Sequence, residues 1–246
     1  FRKNINKQYL FIQCKFQLIM ALILGIDDAG RGPLIGPMIL AGVLIKKEDE
    51  PFLKKKGVND SKQLAHNVRI MLSELIKQTA VDFKVVFSSA EDIDFSIKNG
   101  VNLNALEAIK TAEIINELNS GKEKIKVIVD CPSVNTSAWK KTLLSYVKKI
   151  DNLDVYCEHK ADSNHVSVSA ASIIAKVVRE EEITKLKEKY KEYGNLGSGY
   201  PSDPETKNFL RKNGKKLRNS GIFRKTWATW KALFPEKGQM TLGEFK

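Results

Sequence analysis

Two periodicities organise the apolar positions of this chain. Residues 21–26 (ALILGI) and 38–45 (MILAGVLI) are unbroken apolar runs of the length a buried strand needs. Val81, Phe83, Val85 and Phe87 alternate with other residues and predict a third strand. Residues 125–129 (IKVIV) predict a fourth, and Leu153, Val155 and Cys157 a fifth. Elsewhere the period is helical. Leu64, Val68, Met71, Leu72 and Leu75 share one helix face, with Asp60 or Ser61 as N-cap. Ala105, Ala108, Ala112 and Ile115 make a second face, and Ala170, Ile173, Ile174, Val177 and Val178 a third. The densely charged continuation, 179–193, reads as a solvated helix surface. Three strands early, then strands alternating with helices, predict an α/β fold: a mixed sheet with helices on both faces.

A loop at 194–204 holds three Gly and two Pro and reads as a boundary. Two basic stretches, 207–216 and 225–234, are predicted helical after it. The chain therefore divides into an N-terminal extension (1–19, read as an upstream remnant that need not be native), a main domain (20–200), a small basic helical C-terminal segment (201–236) and a tail (237–246). Its 246 residues suffice for one sizeable domain and an appendage.

Composition narrows the function. Forty-one Lys and Arg against 29 Asp and Glu leave a net charge of +12, which calls for a polyanionic partner, nucleic acid first and an anionic membrane surface second. No apolar run approaches the ~18 residues of a membrane span. Cys14, Cys131 and Cys157 form no CxxC pair, so neither a zinc knuckle nor a disulfide framework is suggested, and a reducing compartment, the cytoplasm, is expected.

The candidate chemistry lies in four aspartates at or just beyond strand ends: Asp27 and Asp28 after the first strand, Asp130 after the fourth, and Asp162, which follows the fifth and opens the third helix. Sites in open α/β sheets gather at the carboxyl ends of strands, so acids from distant parts of the chain can converge there. Carboxylates without His or Cys partners make a hard oxygen site suited to Mg²⁺ or Mn²⁺. Two such ions would neutralise the cluster and drive attack of water on a phosphodiester. Taken singly, an Asp at a strand end is more often only a turn former or, like Asp162, a helix N-cap. His66, His159 and His165 have no metal-ligand spacing and are read as bystanders.

Five segments carry a resemblance. Residues 25–33 (GIDDAGRGP) with Ile35-Gly36-Pro37, residues 60–64 (DSKQL), 129–133 (VDCPS), 160–162 (KAD) with 168–177 (VSAASIIAKV), and 197–204 (GSGYPSDP) resemble, in order, the motifs of ribonuclease HII, the type 2 ribonuclease H. The resemblance covers most of the chain from about Ala21 and implies a ribonuclease H-like domain over 20–200. It implies that Asp27, Asp28, Asp130 and Asp162 are catalytic and hold two Mg²⁺ or Mn²⁺ ions. It also implies that Gly30, Arg31, Gly32 and Tyr200 read the ribose 2′-OH and nearby phosphates, and that Lys62 contacts a phosphate. The substrates implied are RNA/DNA hybrids and DNA duplexes with embedded ribonucleotides, cut 5′ of the ribonucleotide by a monomeric enzyme that leaves 3′-OH and 5′-phosphate ends, in ribonucleotide excision repair and RNA primer removal. The family more commonly has Glu where this chain has Asp28. The C-terminal cations, Arg211, Lys215, Lys216, Arg218, Arg224 and Lys225, are expected to add sequence-independent phosphate binding.

Gln239, Leu242 and Phe245 in the tail fit QxxLxxF and resemble the peptide by which replication and repair enzymes dock on the sliding clamp, with the usual second aromatic replaced by Lys246. Two alternatives stay open. One is a catalytically impaired nucleic-acid-binding protein of the same fold. The other is ribonuclease HIII, which carries an extra N-terminal substrate-binding domain where only about twenty residues precede the first strand here.

Overall fold

The computed structural model describes residues 22–59 and 64–235. Five strands, β1 (Leu22–Ala29), β2 (Met38–Lys46), β3 (Asp82–Ser88), β4 (Ile125–Asp130) and β5 (Leu153–Glu158), form one sheet in the order β3-β2-β1-β4-β5. The β1–β2 and β2–β3 pairs are antiparallel, whereas β1–β4 and β4–β5 are parallel. The expected mixed sheet is therefore present. The helices are α1 (Glu50–Lys55), α2 (His66–Thr79), α3 (Ala90–Lys98), α4 (Leu103–Leu118), α5 (Thr136–Leu144), α6 (Ala161–Asn164), α7 (Val166–Lys189), α8 (Pro204–Asn213) and α9 (Ala228–Leu233).

Strand alternation gives the sheet two buried faces. Leu24 and Ile26 of β1 pack with Val127 and Val129 of β4 against Ile114 and Ile115 of α4 and Trp139 of α5. Ile23 of β1 packs with Ile39, Ala41 and Val43 of β2 against Ile173 and Ile174 of α7 and Ile76 of α2. Helix α7 sits unusually close to the central strand. A methyl group on Gly25 would lie 2.1 Å from the Ser167 carbonyl carbon, so only glycine admits the helix there. A third cluster joins Leu34 and Ile35, after β1, to Phe209, Leu210, Phe223 and Trp230 of the C-terminal segment.

Several local expectations are corrected. Strand β1 continues beyond Ile26 through Ala29, because antiparallel pairing with β2 persists to Asp28–Leu40 and Ala29–Ile39. Asp27 and Asp28 thus lie within the strand. Asp162 does not open the long helix; it sits in the single turn α6, separated from α7 by the extended residue His165. Helix α2 begins at His66 with Ala65 as N-cap, so the described N-cap is neither Asp60 nor Ser61, both of which lie outside the described residues together with Lys62. The charged end of α7 is not wholly solvated, since Arg179 and Ile183 are buried. The short helices α1, α3, α5 and α6 have no counterpart among the segments predicted from the sequence.

Candidate active site

The carboxyl ends of β1 and β4 lie side by side. Ile26 registers with Val129 in the parallel pair, so the next residues, Asp27 and Asp130, end up on neighbouring strands. Alternation then sends consecutive acids to opposite faces. Asp27 is buried on the α7 side and hydrogen-bonds Ser172 of that helix. Asp28, half-buried on the α4 side, faces Glu107. One pocket is lined by Asp27, Asp28, Glu107, Thr111, Asp130 and Trp139.

Asp130 also fixes the neighbouring element. Its Oδ1 accepts a 2.9 Å hydrogen bond from the backbone N–H of Ala161, the first residue of α6. Lys160 turns the chain into that position with a left-handed backbone, φ 55°. Asp162 follows, nearly fully buried. It belongs to the element that Asp130 holds but is not among the residues lining the pocket. Among the described residues, no three Asp, Glu, His or Cys side chains converge on one ion position.

Electrostatics mark these acids as costly. Burial, then the Asp28 and Asp130 charges, raise the Asp27 carboxyl well above its ordinary range. Burial and the Glu107 charge push Asp28 up to about 7, with Arg31 and Lys176 opposing. Burial likewise raises Glu107 to about 7, against the attraction of Arg31. The Asp27, Asp28 and Asp130 carboxylates, oxygen donors in a pocket that no His or Cys lines, fit a hard divalent cation. Glu107 Oε1 is buried and has no hydrogen-bond partner among the described residues, while Oε2 faces Arg31.

A groove adjoins the acids, lined by Asp28, Gly30, Arg31, Gly32, Arg69, Lys176, Arg179, Glu180 and Tyr200. The sequence-predicted Gly30-Arg31-Gly32 and Tyr200 therefore meet, although far apart in the chain. The join is made by Gly199, whose carbonyl accepts from Leu34 N (2.8 Å) and Ile35 N (3.2 Å). Arg179 lies 5.0 Å from the Tyr200 ring centre and donates to Ser198 O, holding the ring beside Gly32. Gly30, at φ 87°, takes a backbone turn that other residues resist, and a methyl there would meet Arg179 at 2.6 Å.

Four contributors had no assigned role in the sequence: Glu107, Lys176, Arg179 and Arg69. The available signal was weak, a single charge among apolar helix residues, as with Glu107 between Leu106 and Ala108, or Arg179 after Val177 and Val178. Arg224 is a correction. Expected on the basic surface, it is fully buried, and its guanidinium donates to the carbonyls of Gly30, Arg31 and Gly36. Burial lowers its pKa to about 10. His165 pairs with Glu158 at 2.8 Å and His159 with the Cys131 carbonyl at 3.0 Å. The tail residues Gln239, Leu242 and Phe245 and the extension 1–19 lie outside the described residues.

Comparison with known proteins shows the family and the fold. The family model described as "Ribonuclease HII" matches residues 24–230. A ribonuclease HII of Pyrococcus furiosus is 41% identical over 229 residues, covering 90% of this chain and 96% of that protein. The crystal structure of the ribonuclease H2 from Pyrococcus horikoshii superposes with a TM-score of 0.76 at 38% identity, covering 86% of this chain and 96% of that one. The ribonuclease HII of Archaeoglobus fulgidus, solved as a PCNA complex, gives a TM-score of 0.73 at 37% identity and covers 91% and 100%.

Proposed function

This chain belongs to the ribonuclease HII family, and from that premise we propose that it cuts 5′ of ribonucleotides embedded in duplex DNA, as well as the RNA strand of RNA/DNA hybrids, leaving 3′-OH and 5′-phosphate ends. It is a ribonuclease H, a metal-dependent nuclease. The observation that carries the finer reading is the contact between two sites: the acid pocket and the Gly30–Gly32/Tyr200 groove share Asp28.

The family's divalent ions, proposed here as two Mg²⁺ or Mn²⁺, supply charge neutralisation, an activated water and stabilisation of the leaving oxygen. Asp27, Asp28, Asp130 and Asp162 are the residues proposed to hold them. This chain's remaining residues position the substrate. Backbone groups of Gly30, Arg31 and Gly32 approach the ribose closely, because two of the three lack a side chain. Tyr200 offers a hydroxyl to the 2′-OH and a ring face to the adjoining sugar. A site built to hydrogen-bond a substrate hydroxyl rejects the analogue lacking it by roughly 10⁴–10⁵, which is the discrimination that intact DNA requires. Arg69, Lys176 and Arg179 line the same groove and suit phosphates. Lys62 is proposed as a further phosphate contact. Residues 239–245 are proposed to dock on a sliding clamp, a reading supported by the QxxLxxF pattern and by the complex with PCNA known for the Archaeoglobus homologue. Nicks at embedded ribonucleotides and cuts in primers fit repair and replication.

The test is a DNA duplex carrying one ribonucleotide, incubated with Mg²⁺ or Mn²⁺. One nick 5′ of the ribonucleotide, ending in 3′-OH and 5′-phosphate, is expected, with the all-DNA duplex left intact. Equal cutting of both duplexes would overturn the reading.

A further inference from the structure

Arg31 does not point its guanidinium freely into the groove. Nη2 donates to Asn104 Oδ1 at 2.6 Å, and Nη1 pairs with Glu107 Oε2. Asn104, Glu107 and Thr111 stand at i, i+3 and i+7 on α4, a polar stripe within a buried face. Glu107 is 2% exposed. A carboxylate at that depth is costly unless it is paired, and Arg31 pairs it. The backbone of the same loop is held from the opposite side, where Arg224 donates to Gly30 O and Arg31 O and the Trp227 indole N–H donates to Gly32 O. The carbonyls of residues 30, 31 and 32 are thus fastened on one side and the Arg31 side chain on the other. The C-terminal segment supplies the first fastening and α4 the second.

We infer that Glu107 is a positioning residue: with Asn104 it pins the Arg31 side chain to α4 and so presets the Gly30–Gly32 backbone beside Asp28 for the ribonucleotide. The inference rests on the proposed role of that loop and deepens it. Glu107 acts through Arg31, so its loss weakens recognition and leaves the hydrolytic step largely intact. An ion pair of this kind is preorganisation, which lowers the cost of ordering the loop when substrate arrives.

A kinetic double-mutant cycle on the single-ribonucleotide duplex tests this. Glu107→Ala is expected to raise KM about tenfold, the loss of a charged hydrogen-bonded partner, with kcat changed by less than about threefold. In an Arg31→Ala background the same substitution is expected to change KM less than about twofold, because its target is gone. Glu107→Gln keeps the side-chain shape and a neutral acceptor for Arg31 and is expected to recover most of the lost KM; should Glu107→Ala not fold, Asn104→Ala, which removes the other acceptor for Arg31, takes its place in the cycle with the same expected rise in KM. Additive effects in the cycle, a fall in kcat at constant KM, or wild-type kinetics in both Glu107 variants would overturn the inference. Failure of the wild-type protein to cut the substrate would instead overturn the functional reading beneath it.

Discussion

Asp28 and Glu107 each titrate near 7, far above the ordinary 3.8 and 4.5, and Asp27 is raised as well. Between those ordinary values and about 7 the folded protein holds more protons than the unfolded chain. Its stability in the absence of divalent cations therefore falls as pH rises through that window. Asp203, held down to about 2 by hydrogen bonds from Ser198, contributes in the opposite sense only below the ordinary Asp value and leaves this window alone. Thermal melts in a chelating buffer are expected to show a falling Tm from about pH 5 to pH 7.5, and Asp28→Asn should flatten that slope and stabilise the protein by about 1–2 kcal/mol at the upper end. A Tm that climbs over the same range, unchanged by the substitution, would contradict the assignment. The sequence revealed these acids unevenly. Asp27 and Asp28 stand out because two charges interrupt an apolar run, and Asp130 because one ends such a run. Glu107 does not stand out, because a single acid on a helix is ordinary and the partner that gives it meaning, Arg31, is 76 residues away.

Packing between elements places these residues, and Gly25 shows how. With no side chain there, α7 lies directly on β1 and brings Ser172 to Asp27. Gly25→Ala would drive a methyl group into the Ser167 backbone, a contact that neither rotamer change nor side-chain motion relieves. It is expected to cost about 3 kcal/mol or more, read as a lowered denaturation midpoint with an unchanged slope. A variant as stable as the parent would show that the helix can withdraw. The sequence announced the strands and long helices because each carries three or more apolar positions in one period. Strand β1 ran three residues further than its hydropathy, because pairing with β2 is a property of two segments and is invisible in one. The separation of α6 from α7 escaped for a similar reason. The break is one extended residue, His165, and the turn before it is set by the left-handed Lys160 and the hydrogen bond between Ala161 and Asp130, far apart in the chain.

At the scale of the molecule, the C-terminal segment is part of the site rather than a basic appendage beside it. Arg224, buried against carbonyls of residues 30, 31 and 36, and Trp227, bonded to Gly32, tie the last described helices to the loop after β1. Composition counted Arg224 among surface cations, since a basic residue in a basic stretch gives no sign that it is buried. The remaining charge of the +12 chain still favours a polyanion and makes binding steeply salt-dependent. All of these links serve one central claim, that the acids at the ends of β1 and β4 hydrolyse a phosphodiester next to a ribonucleotide held by the adjoining groove. The most direct measurement compares wild type with Asp130→Asn on the single-ribonucleotide duplex, scoring cleavage with Mg²⁺ or Mn²⁺ and binding in chelator. Cleavage is expected to fall by about 10³ or more, with affinity in chelator within about threefold of wild type, because the carboxylate is proposed to hold the divalent ions that hydrolysis needs and that binding in chelator does without. Cleavage by Asp130→Asn at the wild-type rate would contradict the claim.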